Sequence, residues 1–282
     1  MALLAGCSGL GVLDGLTTSS GYSRTEGLAY GKDPRQRLDI YRPDKPLPDT
    51  PVVVFFYGGS WNRGDRADYR FVGRALARRG MLAVVADYRL YPQVRYPAFI
   101  DDSAQATAWV YRHIGEYGGD NRRLFLMGHS AGAYNAAMVA LQPQRLAAQG
   151  LSRQIVRGWI GLAGPYDFLP IEEANVKPVF FFPASPPQSQ PINQPLAGSA
   201  PALLIAANND SVVNPQRNTA GLARQLRAAG VPVEEQYYGW VNHVTLIATL
   251  APALGWLAPV MDRVEAFILQ APAIDPGGAG AK

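Results

Sequence analysis

The chain is 282 residues long, 48% hydrophobic and formally +4 in charge, with one cysteine, Cys7, and three histidines, His113, His129 and His243. That length and apolar content suit one large α/β domain and exclude a disordered chain, while the lone cysteine excludes an internal disulfide and the sparse histidines argue against a metal site. The basic residues fall in scattered pairs such as Arg78–Arg79 beside apolar runs, not in the patch that nucleic acid requires, and no run approaches the roughly eighteen apolar residues of a membrane-spanning helix.

Leu4-Ala5-Gly6-Cys7, followed by Ser8-Gly9, resembles the lipobox of bacterial lipoproteins, in which cleavage frees a cysteine that then carries lipid. The six residues before Cys7 are too short for an apolar signal core and contain no Lys or Arg. Residues 1–24 are therefore expected to be a truncated signal and linker, with Thr17 to Gly21 as the linker. Were the signal complete, lipidation at Cys7 would place the protein in the bacterial cell envelope; otherwise it would be cytoplasmic. More than one acyl chain would be needed for stable anchoring.

Strands and helices then alternate. Arg37 to Tyr41 is a predicted strand, and Pro51 to Tyr57 is an apolar run of the kind buried on both faces of a sheet. Ala67 to Arg79 is a predicted helix stopped by Gly80, Met81 to Tyr88 a strand, and Pro97 to Tyr117 a helix stopped by Gly118-Gly119. Arg123 to Met127 is a short strand and Ala131 to Leu141 a small-residue helix; Ile155 to Leu162 and Pro201 to Ala206 are strands. Asn214-Pro215 starts a helix, Asn as cap and Pro in the first turn. Val231 to Tyr238 is the last strand, and Thr245 to Leu269 gives one or two closing helices. Alternation of this kind implies a mostly parallel sheet with helices on both faces, formed by residues 25–271. Phe180 to Pro195, rich in Pro, Ser, Gln and Asn, is expected to be a long loop of the lid or binding type, and residues 272–282 a disordered tail.

Gly128-His129-Ser130-Ala131-Gly132 lies between the strand LFLM and the helix AGAYNAAM, the setting of a nucleophile elbow. Such a turn lifts the serine hydroxyl clear of the sheet and tolerates only small neighbours. The competing interpretation is a glycine-rich turn without chemistry. A serine needs a base, and in the order Ser, acid, His that goes with this elbow the one histidine after Ser130 is His243, between the last strand and the closing helices. His129 is expected to pack and His113 to lie on a helix surface. The acid must come from Asp167, Glu172, Glu173, Asp210, Glu234 or Glu235. Asp210, one strand–helix unit before His243, is preferred, Asp167 is the second choice, and the last two glutamates lie within a strand. Tyr57-Gly58-Gly59-Ser60-Trp61 follows a buried strand, so the backbone N–H groups of Gly59, Ser60 and Ala131 are candidate oxyanion donors; the alternative is a simple turn.

The set YGGSW, DYRLYP, YPAFIDD, YGGD, GHSAGA and NHV resembles bacterial carboxylesterases of the α/β-hydrolase superfamily, in the feruloyl-esterase-like and hormone-sensitive-lipase-like groups; kynurenine formamidase and prenylcysteine methylesterases share similar motifs. The likeness runs from about Leu38 to about Leu269. It implies the α/β-hydrolase fold and a Ser130–His243–Asp210 triad acting through an acyl-enzyme on small-molecule esters, with no metal or organic cofactor and no nucleic acid partner. An arylformamidase-type amidase and a non-catalytic binding protein are the alternatives, and the motifs do not bear on oligomeric state. One departure stands out: these families usually carry His at the first position of the oxyanion loop, and this chain has Tyr57, whose hydroxyl is one way of holding that loop. Asp87, Tyr88 and Arg89 are expected to tie the floor of the site together.

Overall fold

The structure, a computed structural model, describes residues 20–271. Cys7 and the 272–282 tail lie outside the described residues. The strands are β1 (Tyr22–Ala29), β2 (Arg37–Pro43), β3 (Val52–Phe56), β4 (Leu82–Ala86), β5 (Leu124–His129), β6 (Val156–Leu162), β7 (Ala202–Ala207) and β8 (Val233–Tyr238). They form one sheet in the order β1-β2-β4-β3-β5-β6-β7-β8. β1, β2 and β4 pair antiparallel, and from β4 onward every pairing is parallel.

Every residue of β3, β4, β5 and β7 is buried, as expected of strands covered on both faces. The covering helices are α1 (Arg70–Arg78), α2 (Ala98–His113), α3 (Ala131–Leu141), α4 (Pro143–Ala147), α5 (Gly221–Ala228), α6 (His243–Ala248) and α7 (Val260–Gln270). α1 carries the chain from β3 to β4 in one direction along the sheet, and α2 carries it back past β3 to β5. With right-handed crossovers the two helices must lie on opposite faces. The reversal leaves a crevice beyond the adjacent carboxyl ends of β3 and β5, where Phe56 pairs with Gly128. Ligands of open α/β sheets bind at such a point.

Two expectations are corrected. The folded domain does not wait until residue 25: β1 starts at Tyr22, inside the segment assigned to signal and linker. Its sequence, YSRTEGLA, is mostly polar because it is an edge strand paired only with β2. Phe180 to Pro195 is not an open loop. Short 3-10 turns occupy Pro187–Ser189 and Pro191–Asn193, and Ser189, Gln190 and Pro191 are buried. The Tyr134 hydroxyl donates to the Ser189 carbonyl (2.7 Å), and Gln190 Oε1 accepts the Phe168 N–H (2.7 Å). Proline-initiated turns and buried polar contacts hold this segment down where composition alone suggested a lid.

Candidate active site

Ser130 is the residue between β5 and α3, and its backbone has φ 53° and ψ −120°. A non-glycine residue in that region is strained and persists only where its surroundings over-determine it. Here the constraint is close packing. A Cβ on Gly132 would stand 2.0 Å from the Phe56 carbonyl oxygen of β3, and one on Gly128 would stand 2.1 Å from the Gly132 carbonyl oxygen. The Ser130 N–H is taken by the Leu162 carbonyl of β6 (2.8 Å). The turn is thus clamped between three strands and a helix start, with its side chain raised at the carboxyl edge.

Asp210 follows β7, and His243 opens α6 after β8. Asn242 caps α6 by accepting the N–H groups of Val244 and Thr245, while the Asn242 N–H donates to Thr245 Oγ1, a reciprocal capping box. His243 Nε2 lies 2.9 Å from Ser130 Oγ, and its Nδ1 lies 2.8 Å from Asp210 Oδ2. The other Asp210 oxygen accepts the N–H groups of Val212 and Val213, each at 2.8 Å. Burial pushes the Asp210 carboxyl up, but the hydrogen bond and charge of His243 and the two backbone donors outweigh it and hold the carboxyl below its ordinary value. An ionised carboxylate is thereby kept on the Nδ1 side, where it favours the tautomer with Nε2 free to accept the serine proton.

The remaining acidic candidates lie elsewhere. Asp167 pairs with Arg217 (3.1 Å) at the rim of the cavity, where Glu172 and Glu173 are exposed. Glu234 pairs with Arg263, and Glu235 with Arg227. His113 is half-buried beside Glu116. His129 does more than pack. Its Nε2 lies 2.9 Å from the His243 carbonyl oxygen, and its ring centroid is 5.0 Å from that of His243. Burial, reinforced by the neighbouring His243, holds the His129 imidazole down at about 3, so it stays neutral at ordinary pH.

That displacement carries a stability consequence. Between the ordinary histidine value of about 6.5 and about 3, the unfolded chain binds a proton at this position and the folded chain does not. Stability must therefore rise with pH across that window and fall as pH drops through it. His129→Gln removes this contribution. The slope of unfolding free energy against pH between 6.5 and 3 should become shallower, by up to about 1.4 kcal/mol per pH unit. Denaturant titrations at several pH values check this, and an unchanged slope contradicts it.

Tyr57 ends β3 and leads into the glycine loop. Its hydroxyl donates to Asp87 Oδ1 (2.9 Å) and accepts from Arg35 Nη2 (2.7 Å), and the same Arg35 nitrogen reaches the Gly64 carbonyl (2.8 Å). The ring stacks between Tyr69 and Tyr88, and the Tyr88 hydroxyl donates to the Tyr57 carbonyl. Asp87 also pairs with Arg66, and Arg89 pairs with Asp102 (2.7 Å). Burial, then the Asp65 carboxylate, push the Asp87 carboxyl above its ordinary value against the pull of Arg66 and Tyr57. The Tyr57 hydroxyl therefore ties the start of the glycine loop to the floor. In the loop, Gly59 has φ +132° and would drive a Cβ to 2.3 Å from the Arg63 carbonyl oxygen; its own carbonyl accepts the N–H groups of Asn62 and Arg63. Ser60 and Trp61 follow with φ 53° and 56°. Ala131 is the first residue of α3, where an N–H has no intrahelical acceptor.

Ser130 opens into a cavity of about 180 Å³ walled by Trp61, Phe168, Ile171, Val176 and Val213. Trp61 is fixed by its Nε1–H to Asn135 Oδ1 (3.0 Å) and by contacts with the Phe168 and Phe180 rings. Phe168, Ile171 and Val176 of this wall come from irregular backbone at 165–176 and not from 180–195, the segment expected to be a binding loop; Phe180 stands behind Trp61. No sequence signal marked that stretch, because its apolar residues have no period. A larger hollow of about 630 Å³, beside Arg153, Arg157 and Phe267, opens at the amino ends of β6, β7 and β8, and Ser130, Asp210 and His243 do not line it. Among the described residues no group of three or more His, Cys, Asp and Glu side chains could hold a metal ion.

Comparison with known proteins adds to this geometry. The BD-FAE family model matches residues 38–226, a span that includes the glycine loop, Ser130 and Asp210 and stops short of His243. The chain is similar to a probable isoprenylcysteine alpha-carbonyl methylesterase from Oryza sativa subsp. japonica, 37% identical over 144 residues, covering 50% of this chain and 35% of the relative. The chain thus spans about a third of the length of that relative. It is also similar to carboxylesterase NlhH of Mycobacterium tuberculosis, 31% identical over 242 residues, covering 77% of this chain and 74% of the relative. Among solved structures, a thermostable esterase from Pseudomonas putida superposes with a TM-score of 0.76 at 25% identity, covering 96% of this chain and 92% of that one.

Proposed function

The chain belongs to the BD-FAE family, and from that membership we propose that it is a carboxylic ester hydrolase working through Ser130, His243 and Asp210. What carries the reading is the unbroken run from Ser130 Oγ to His243 Nε2 (2.9 Å) and from His243 Nδ1 to Asp210 (2.8 Å) at the mouth of an apolar cavity. Ser130 Oγ attacks the ester carbonyl as His243 Nε2 takes its proton. His243 then passes the proton to the departing alcohol, which leaves an acyl group on Ser130. Water, deprotonated by the same imidazole, releases the acid and restores the serine. Asp210 holds the imidazole orientation and stabilises its charged form. The N–H groups of Gly59, Ser60 and Ala131 receive the oxyanion charge. No metal or organic cofactor enters this sequence.

A cavity of about 180 Å³ favours a short acyl or small aryl group. Initial rates on aryl esters of rising acyl length, with N-formylkynurenine beside them, test the reading. Ser130-dependent turnover that is fastest on short esters supports it. Turnover of the formyl amide alone moves the assignment to an amidase, and no turnover at all defeats it. Asp210→Asn should lower kcat by about 10⁴-fold, because the neutral amide no longer selects the productive His243 tautomer. Steady-state kinetics on the best ester check this, and a loss under about tenfold contradicts it. A lipid anchor on Cys7, and with it an envelope location, is a separate proposal supported by the Leu4-Ala5-Gly6-Cys7 run alone. Mass spectrometry of the N-terminal peptide, from protein produced in a lipoprotein-processing bacterium, tests it.

A further inference from the structure

We propose that His129 is a positioning residue for His243: a hydrogen bond from its Nε2–H to the His243 main-chain carbonyl locks the base loop to the nucleophile elbow and sets the serine–imidazole separation. This rests on the role given to His243 above. A carbonyl only accepts, so His129 must carry its proton on Nε2, and Nδ1 of the neutral ring is then an acceptor. That Nδ1 is buried and without a partner. Gly58 closes over it, since a Cβ on Gly58 would stand 3.0 Å from Nδ1. One imidazole thus touches the glycine loop, the elbow and the base loop at once.

The geometry makes a closed ring of atoms. His129 and Ser130 are consecutive. His243 bonds Ser130 through its side chain (2.9 Å) and His129 through its carbonyl (2.9 Å). Asp210 fixes the plane of the His243 ring but does not touch its backbone. The backbone needs a separate hold, because the loop before it faces solvent: Gly239, Trp240 and Asn242 are exposed, Trp240 at 89%, and Val244 follows at 46%. α6 has only six residues, and its capping box ties the first turn to the exposed Asn242, not to the elbow. Val241 and His243 are the buried points of that stretch, and the His129 bond ties its main chain to the elbow, where the Ser130 bond holds only the His243 side chain.

Two substitutions of equal polarity and different reach test this. His129→Gln carries an amide nitrogen to about the Nε2 position, and His129→Asn stops about one bond short. The Asn variant should lose about 10- to 100-fold in kcat on p-nitrophenyl acetate with KM little changed, and the Gln variant should recover most of that loss. Equal kcat in the two variants, whether both high or both low, overturns the proposal. Nitrogen-15 spectra of the wild-type imidazole need no variant to fold. An Nε2–H tautomer at neutral pH supports the bond, and an Nδ1–H tautomer overturns it. Ser130-dependent turnover of the wild-type protein is measured first. Its absence defeats the esterase reading, while the spectra still decide the hydrogen bond.

Discussion

Ser130→Ala is expected to lower kcat on a short aryl ester by about 10⁵- to 10⁶-fold and to leave the thermal midpoint within a few degrees of wild type. The first half follows from the chemistry. Without Oγ there is no acyl-enzyme, and His243 has no proton to take. What remains is the charge stabilisation of the backbone donors and the binding of substrate, about 10³- to 10⁴-fold over water. The second half follows from packing. The elbow is held by the Ser130 N–H to the Leu162 carbonyl and by the fit of its glycines, none of which uses the hydroxyl. Kinetics with a sensitive chromogenic ester, paired with a melting curve, separate the two. A variant that keeps more than about a tenth of wild-type kcat removes Ser130 from the reaction.

Gly132→Ala is expected to have the largest effect on folding. Its Cβ would lie 2.0 Å from the Phe56 carbonyl oxygen and 2.6 Å from that of Tyr57, both backbone atoms at the end of a buried central strand. No rotamer change relieves such a contact, and moving β3 away from α3 would open the most buried part of the sheet. The cost should reach about 4 kcal/mol or more, the range reserved for core overpacking and strain. For a domain of this size that corresponds to a midpoint about 8 to 16 °C lower, or to insoluble protein. Gly115→Ala is the control, because nothing stands within 4 Å of a Cβ there. Circular dichroism melts of both variants check the contrast, and a Gly132→Ala midpoint equal to that of Gly115→Ala contradicts it.

What the sequence reveals about this fold follows the range of the interactions. Pro51 to Tyr57 and Met81 to Tyr88 announce buried strands because burial on both faces leaves a continuous apolar run. The elbow is equally local: strand, turn and helix lie within some twenty residues, and close approach requires its glycines. His243 and Asp210 need one further idea, chain order, since the chain must finish a strand before each can reach the carboxyl edge. The fold brings all three to one point at hydrogen-bond distance.

Other features depend on tertiary neighbours and leave no pattern in the chain. β1 is an edge strand with polar residues, so YSRTEGLA shows no alternation strong enough to mark it. The wall made by Phe168, Ile171 and Val176 belongs to irregular backbone organised by Asn218, whose Oδ1 accepts the N–H groups of Tyr166 and Asp167 from about fifty residues away. That the Tyr57 hydroxyl holds the loop is legible from the motif, but its partners Arg35 and Asp87 are not, since they reach it from distant parts of the chain. His129 reads as packing from the chain alone, since no spacing rule relates it to the His243 carbonyl.

In the proposed reaction Ser130 becomes acylated with His243 as its base. Treatment with diethyl p-nitrophenyl phosphate, followed by intact-mass and peptide mapping, tests it most directly. One diethylphosphoryl adduct per chain is expected, on the peptide containing Ser130, absent in Ser130→Ala and formed far more slowly in His243→Ala. An adduct on another residue, or esterase turnover that survives in a protein whose Ser130 is fully labelled, would contradict it.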